Sequence, residues 1–149
     1  MNTTKRLIGS FLMLGTLSVQ AQKITFKADI NEMSPMAYPV RTGLTDFSFE
    51  MRNDSAFLHL PYMGQVYNPT FGNDGLNFSA PCSNLSVKAT KKKDGKNIFF
   101  SMRHDFVTYR FNVTLWDNNF IEVYMQPSNA QSCHYRGQWE KTEETITKQ

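Results

Sequence analysis

The chain has 149 residues, 40% of them hydrophobic and 19% charged, with a formal net charge of +3. That is long enough for one domain with a real core, too apolar for a disordered chain, and without the basic excess that nucleic acid demands. Two cysteines with no C-x-x-C spacing give no local redox motif.

The opening "MNTTKRLIGSFLMLGTLSVQAQ" has the three parts of a secretory signal peptide. Lys5 and Arg6 are the positive head, Leu7 to Val19 the apolar run, and Val19-Gln20-Ala21 the cleavage site. The run is too short to cross about 30 Å of hydrocarbon, which takes roughly 20 apolar residues. Cleavage after Ala21 leaves residues 22–149, at a net charge of +1, as an exported domain, periplasmic or secreted, with no transmembrane segment. Nucleic acid is not a partner expected there. In an oxidising compartment Cys82 and Cys133 are expected to pair, stabilising the fold by about 4 kcal/mol in the chain-entropy model. Two free thiols are the alternative.

From residue 23 the apolar period is two, the mark of half-buried strands. "KITFKADI" turns Ile24, Phe26, Ala28 and Ile30 to one face. "TDFSFEM" does so with Phe47, Phe49 and Met51, "RND" turns the chain, and "SAFLHL" brings in Ala56, Leu58 and Leu60. "GLNFSA" offers Leu76, Phe78 and Ala80 before Pro81 breaks the run, and "NLSVKAT" offers Leu85, Val87 and Ala89. Asp94-Gly95 in "KKKDGKNIFF" predicts a tight hairpin, because that pair suits two positive φ angles. Its second arm carries Ile98, Phe100 and Met102. After "RHD" comes the longest inward stripe, Val107, Tyr109, Phe111, Val113 and Leu115. "DNN" leads to Ile121, Val123 and Met125, and "SCHYRGQWE" sets Cys133, Tyr135 and Trp139 on one side. The polar tail, residues 142–149, is expected to fray. The sum is an all-β domain of about eight or nine antiparallel strands, either a meander barrel or two packed sheets.

The segment "HLPYMGQVYNP" leaves its strand on aromatics rather than polar turn residues. Pro61 cannot donate to a ladder and marks a strand end, and Gly64 permits a sharp turn. Tyr62, Tyr67 and Phe71 then lie over one open end, either as a structural plug or as a lip or lid that touches a ligand. "LPYMGQVY" resembles a signature of the domain-of-unknown-function family 4251, small exported proteins of Bacteroidetes. "GLNF" at Gly75 to Phe78, the lysine-rich hairpin after it and "YRGQW" at Tyr135 to Trp139 follow in that family's order. The resemblance implies an exported β domain from a Gram-negative bacterium, and it brings no catalytic residue.

Motifs that carry chemistry are absent. His59, His104 and His134 show no zinc-ligand spacing, so neither metal nor cofactor is expected. No nucleophile elbow or phosphate loop occurs, and only a cross-strand pair such as Glu50 and Glu122 offers two carboxylates. The lysines of "KATKKKDGK" suit a solvated hairpin edge, or else a grip on polyanions. Gly137-Gln138-Trp139 has the G-x-W form of lipocalins but lies in the last strand, where the match has no meaning. The expectation is therefore a non-enzymatic binding domain. In one version Phe26, Phe49, Phe78, Phe100, Tyr109 and Phe111 line a cavity for a small apolar ligand, or fill it solid. In the other, Phe57, Phe99, Trp116, Phe120 and Tyr124 on the opposite face meet an envelope protein.

Overall fold

Strict alternation yields nine strands. They are β1 (Phe26–Pro35), β2 (Phe47–Arg52), β3 (Ser55–Leu60), β4 (Leu76–Pro81), β5 (Ser83–Ala89), β6 (Gly95–His104), β7 (Val107–Trp116), β8 (Phe120–Pro127) and β9 (Cys133–Lys141). The computed structural model describes residues 24–62 and 76–142. Residues 1–23, where a signal peptide is expected, Gly64, Tyr67, Phe71 and the tail from residue 143 lie outside the described residues. No helix occurs among those described.

The strands form one sheet in the order β4-β3-β2-β1-β9-β8-β7-β6-β5, every neighbour antiparallel. Eight antiparallel steps separate β4 from β5, so these two run in the same direction. Only Cys82 stands between them. They are therefore two halves of one extended path, the first paired with β3 and the second with β6. Counted this way the wall has eight staves, the even number that an antiparallel ring needs to close. The sheet is a nearly closed barrel, and the meander expectation holds over the two-sheet one. At the remaining seam β4 meets β6 through side chains: Phe78 stacks on His104 at 4.1 Å between centroids and reaches Tyr109 at 5.1 Å. The Cys82 N–H donates to the Asp54 carbonyl at 2.6 Å and pins the corner to the β2–β3 turn.

An eight-stave barrel has an interior just wide enough for side chains to fill, and here rings fill it. Phe49 of β2 touches Phe111 at 5.9 Å and Phe100 at 6.3 Å, on staves across the lumen. Phe100 stacks on Phe111 at 4.9 Å, and Phe26 bridges Phe49 to Trp139. All the inward residues expected on β1, β3, β6, β7 and β8 are buried or, for Ile24 just before β1, half-buried.

Three local expectations are corrected. The β5–β6 hairpin exists, but Asp94-Gly95 is not its tip. The loop is Lys91 to Asp94, with Lys93 at φ 57° and its N–H donating to the Thr90 carbonyl. Asp94 instead exchanges side-chain bonds with Thr90 at 2.6 and 3.1 Å, and Gly95 opens β6, where a Cβ would lie 2.5 Å from the Leu115 carbonyl oxygen. Because Thr90 turns inward to serve that loop, Ala89 is exposed. Further on, Phe106 falls not at the head of a strand but in a two-residue turn with Asp105.

A β-bulge at Asn31 shifts the β1–β9 register and lets β1 run on to Pro35. Gly137 faces the bulge from β9, and a Cβ there would overlap the Asp29 carbonyl oxygen. Gly137→Ala is therefore expected to lower stability by about 3 kcal/mol, read as a drop in the urea midpoint. Gly43, at φ 69° with open space around it, should lose only about 1 kcal/mol as alanine.

Candidate functional site

The chain leaving β3 is tied across the barrel end. Tyr135 of β9 donates its hydroxyl to the Pro61 carbonyl at 2.7 Å, and Tyr62 donates to the Gln131 carbonyl at 2.9 Å. Tyr62 is half-buried and packs on the core. The first residues of the aromatic exit thus anchor to the β8–β9 connection. The other lid candidates, Gly64, Tyr67 and Phe71, lie outside the described residues.

Beneath these ties sits a buried polar cluster. Burial holds the Tyr135 phenol well above its ordinary value, and the neighbouring Cys133 thiol adds to this. Tyr109 is pushed up to about 12 by burial, then by the charges of Asp105 and Tyr62. Its hydroxyl has no hydrogen-bond partner among the described residues. Such an arrangement stabilises neutral phenols and leaves no poised acid or base near pH 7.

Cys82 and Cys133 are both free thiols, not the expected bridge. Cys82 sits at the β4–β5 corner, and Cys133 opens β9 on the opposite side of the ring. Around the wall they are four strand steps of about 4.8 Å apart, and rings fill the space between, whereas a bridge needs Cα atoms within about 7 Å. Burial raises Cys82 from 9.0 to about 12, helped by the Asp54 charge, and Cys133 from 9.0 to about 11. The Cys133 thiol contacts the Ser34 carbonyl at 3.7 Å.

The outer wall of β6–β9 carries the second group of candidates. Phe99, Asn112, Tyr124 and His134 stand opposite one another on successive strands, with Tyr124 edge-on to His134 at 4.6 Å. Phe99, Phe120 and Tyr124 are exposed, and Trp116 and Phe57 are half-buried. Phe57 is covered by the Arg52 guanidinium at 4.7 Å. A groove of ≈ 460 Å³ runs beside the bulge, lined by Trp116, Phe120, Glu32, Glu122 and Arg136 among others. Arg136 stands between the two carboxylates, 3.6 Å from Glu32 and 3.4 Å from Glu122. The bulge is what aims Glu32 outward here, a feature with no sequence signal.

The remaining polar candidates do not converge. His59 is exposed and stacks on Phe47, His104 is held by Phe78 and Asp105, and His134 by Tyr124. Among the described residues no group of three histidines, cysteines or carboxylates is placed to hold a metal. Glu50 and Glu122 lie on β2 and β8, three strand steps or roughly 14 Å apart, and each has an arginine of its own.

The described residues define an up-and-down β domain with rings meeting across its lumen and with candidate groups at one barrel end and on the outer wall. The chain belongs to the DUF4251 family, a domain of unknown function, whose model matches residues 17–139. It is similar to a DUF4251 family protein from Bacteroides eggerthii, known from a crystal structure at 1.95 Å. The TM-score is 0.57 at 14% identity, over 83% of this chain and 82% of the other, a likeness of fold. No curated protein matches the chain.

Two pairs of measurements check this reading of the barrel end. Tyr135→Phe strands the half-buried Pro61 carbonyl and should lower stability by about 1–3 kcal/mol, whereas Tyr109→Phe removes a buried hydroxyl with no partner among the described residues and should leave stability equal or higher by about 1 kcal/mol. Alkylation at pH 8 should spare both thiols until denaturant is added. Because the folded values of Cys82, Cys133, Tyr109 and Tyr135 are all raised, their stabilisation is complete below the unfolded thiol value near 9 and is lost as pH climbs toward about 12. The urea midpoint should therefore fall steadily above pH 9, and less steeply in the Cys82→Ala, Cys133→Ala double variant.

Proposed function

We propose that the protein is an exported, non-catalytic binding domain that acts as an envelope-associated interaction module through the aromatic wall of β6–β9. The observation that carries this is the distribution of rings. Phe49, Phe100 and Phe111 meet across the lumen, which speaks against a small apolar ligand at that level, while Phe99, Phe120 and Tyr124 remain on the outside. Aromatics clustered on a polar wall suit a protein partner better than solvent. The outward rows also carry charge, Lys27 and Asp29 on β1 and Glu122 and Arg136 beside the rings of the wall itself, all exposed. That is the reverse of a barrel that spans a membrane on its strands. The leader at residues 1–21 supports export to the compartment where such a partner resides.

A photo-crosslinking residue placed at position 99, 120 or 124 in cells should capture one recurring partner in the envelope fraction, and at position 59, on the opposite wall, should not. The combined variant Phe99→Ser, Phe120→Ser, Tyr124→Ser should abolish capture while each change shifts stability by no more than about 0.5 kcal/mol. A native mass spectrum with a bound small molecule would overturn the solid-interior reading.

A further inference from the structure

Every strand that runs in the direction of β1 delivers its following loop to one end of the barrel. These are residues 36–46 after β1, Pro61 and Tyr62 after β3, the turn Asp105-Phe106 after β6 and residues 128–132 after β8. Four of the large apolar side chains exposed among the described residues sit on these loops: Phe106 at 93%, Met36 at 69%, Val40 at 54% and Tyr38 at 48%. Phe106 is the anomaly. It and Asp105 form a two-residue turn with φ 66° and 48°, a shape that selects Asn-Gly and disfavours a bulky aromatic. The chain holds a phenylalanine there against its backbone preference, with 93% of its surface in solvent. Strain of this kind points to use.

The arginines sort by the same end. Arg52 and Arg136, elsewhere on the wall, hold carboxylates. Arg41, beside the β1 end, and Arg103 and Arg110, flanking the Phe106 turn, have no carboxylate within ion-pair distance among the described residues. The nearest acid to the tip, Asp105, faces His104 at 3.2 Å. Arg110 also lines a groove of ≈ 570 Å³ with Met36, Thr108, Gln126 and Ser128. Its floor is rigid, because the Thr108 N–H donates to Ser128 Oγ at 3.1 Å and the Ser128 N–H to the Thr108 carbonyl at 2.9 Å. A free guanidinium beside two hydroxyl side chains matches a phosphate.

We propose that this end of the barrel docks on an anionic phospholipid surface. Phe106, Met36, Val40 and Tyr38 enter the interfacial layer, and Arg110, with Arg103 and Arg41 behind it, meets headgroup phosphates. Met36, Tyr38 and Val40 project at alternate positions of the loop after β1, and Phe106 projects from the separate turn after β6. A fluid layer receives each tip where it stands, whereas a protein partner needs a matching pocket for every one. Protruding apolar and aromatic tips backed by unpaired cations are the pattern of interfacial binding. This docking end is distinct from the aromatic wall, and neither depends on the other.

The test is flotation of the chain from residue 22, which holds the whole sheet, since the apolar run at 7–19 would bind lipid by itself. Vesicles of phosphatidylcholine containing phosphatidylglycerol are compared with phosphatidylcholine alone. The protein should float with the anionic vesicles and be released by salt. Phe106→Asn should weaken binding about tenfold while raising Tm, because asparagine suits the turn. Arg110→Gln should weaken it about fivefold, and Phe120→Asn on the wall should leave it unchanged. The proposal fails if the protein ignores anionic vesicles, if Phe106→Asn binds like the parent, or if that variant lowers Tm and so marks Phe106 as part of the fold. Binding of inorganic phosphate without binding of vesicles would likewise replace lipid docking with a small-anion site.

Discussion

The contact of Phe49 with Phe100 and Phe111 across the lumen is the interaction on which the rest of the molecule depends. A ring from β2 reaches rings on β6 and β7 from the far side of the wall, so the two halves of the sheet are held together through the centre. At the level of these rings the lumen of the barrel is occupied. The candidate groups lie at one end and on the outer face. Burial of so much aromatic area contributes the main stabilisation, on the order of 3–5 kcal/mol for truncating a single such ring.

The second constraint is parity. Nine strands cannot close an antiparallel ring, and the chain resolves this by bending one path at Pro81-Cys82-Ser83 into β4 and β5. The bend leaves a seam where backbone pairing lapses and the Phe78–His104 stack takes its place. It also sends the β5–β6 hairpin, with its lysine tip, away from the end that carries Pro61 and Tyr62. The two ends of the barrel therefore differ in chemistry, lysines at one and apolar tips with arginines at the other. The molecule is polarised along its axis.

Much of this was legible in the residues. Period-two alternation named the buried face of nearly every strand, because a pleated strand offers only two faces and the core takes one. Pro61 and Pro81 ended strands where a missing N–H would end them. The aromatic exit at Leu60-Pro61-Tyr62 was readable as something folded over an open end, and its anchors, the Gln131 and Tyr135 partners, lie far along the chain where no local pattern reports them. The expected disulfide failed for a reason of the same kind. Two cysteines in an oxidising compartment are a compositional argument, whereas pairing is decided by which staves they occupy. The turn at Asp94-Gly95 was misplaced because Thr90 captured the aspartate side chain. Phe106 escaped notice because nothing in its neighbours announces a left-handed backbone.

What the sequence by itself determined is the strand content, the inward faces, the family and the absence of local catalytic motifs, since these follow from periodicity and short spacings. The tertiary structure alone decided that the wall nearly closes, that rings meet across its lumen, that the cysteines stay apart, and that arginines without an ion pair among the described residues share an end with the exposed apolar tips. Those outcomes depend on which residues distant in the chain become neighbours in space. In a barrel that is set by strand order and register, quantities that no stretch of sequence contains.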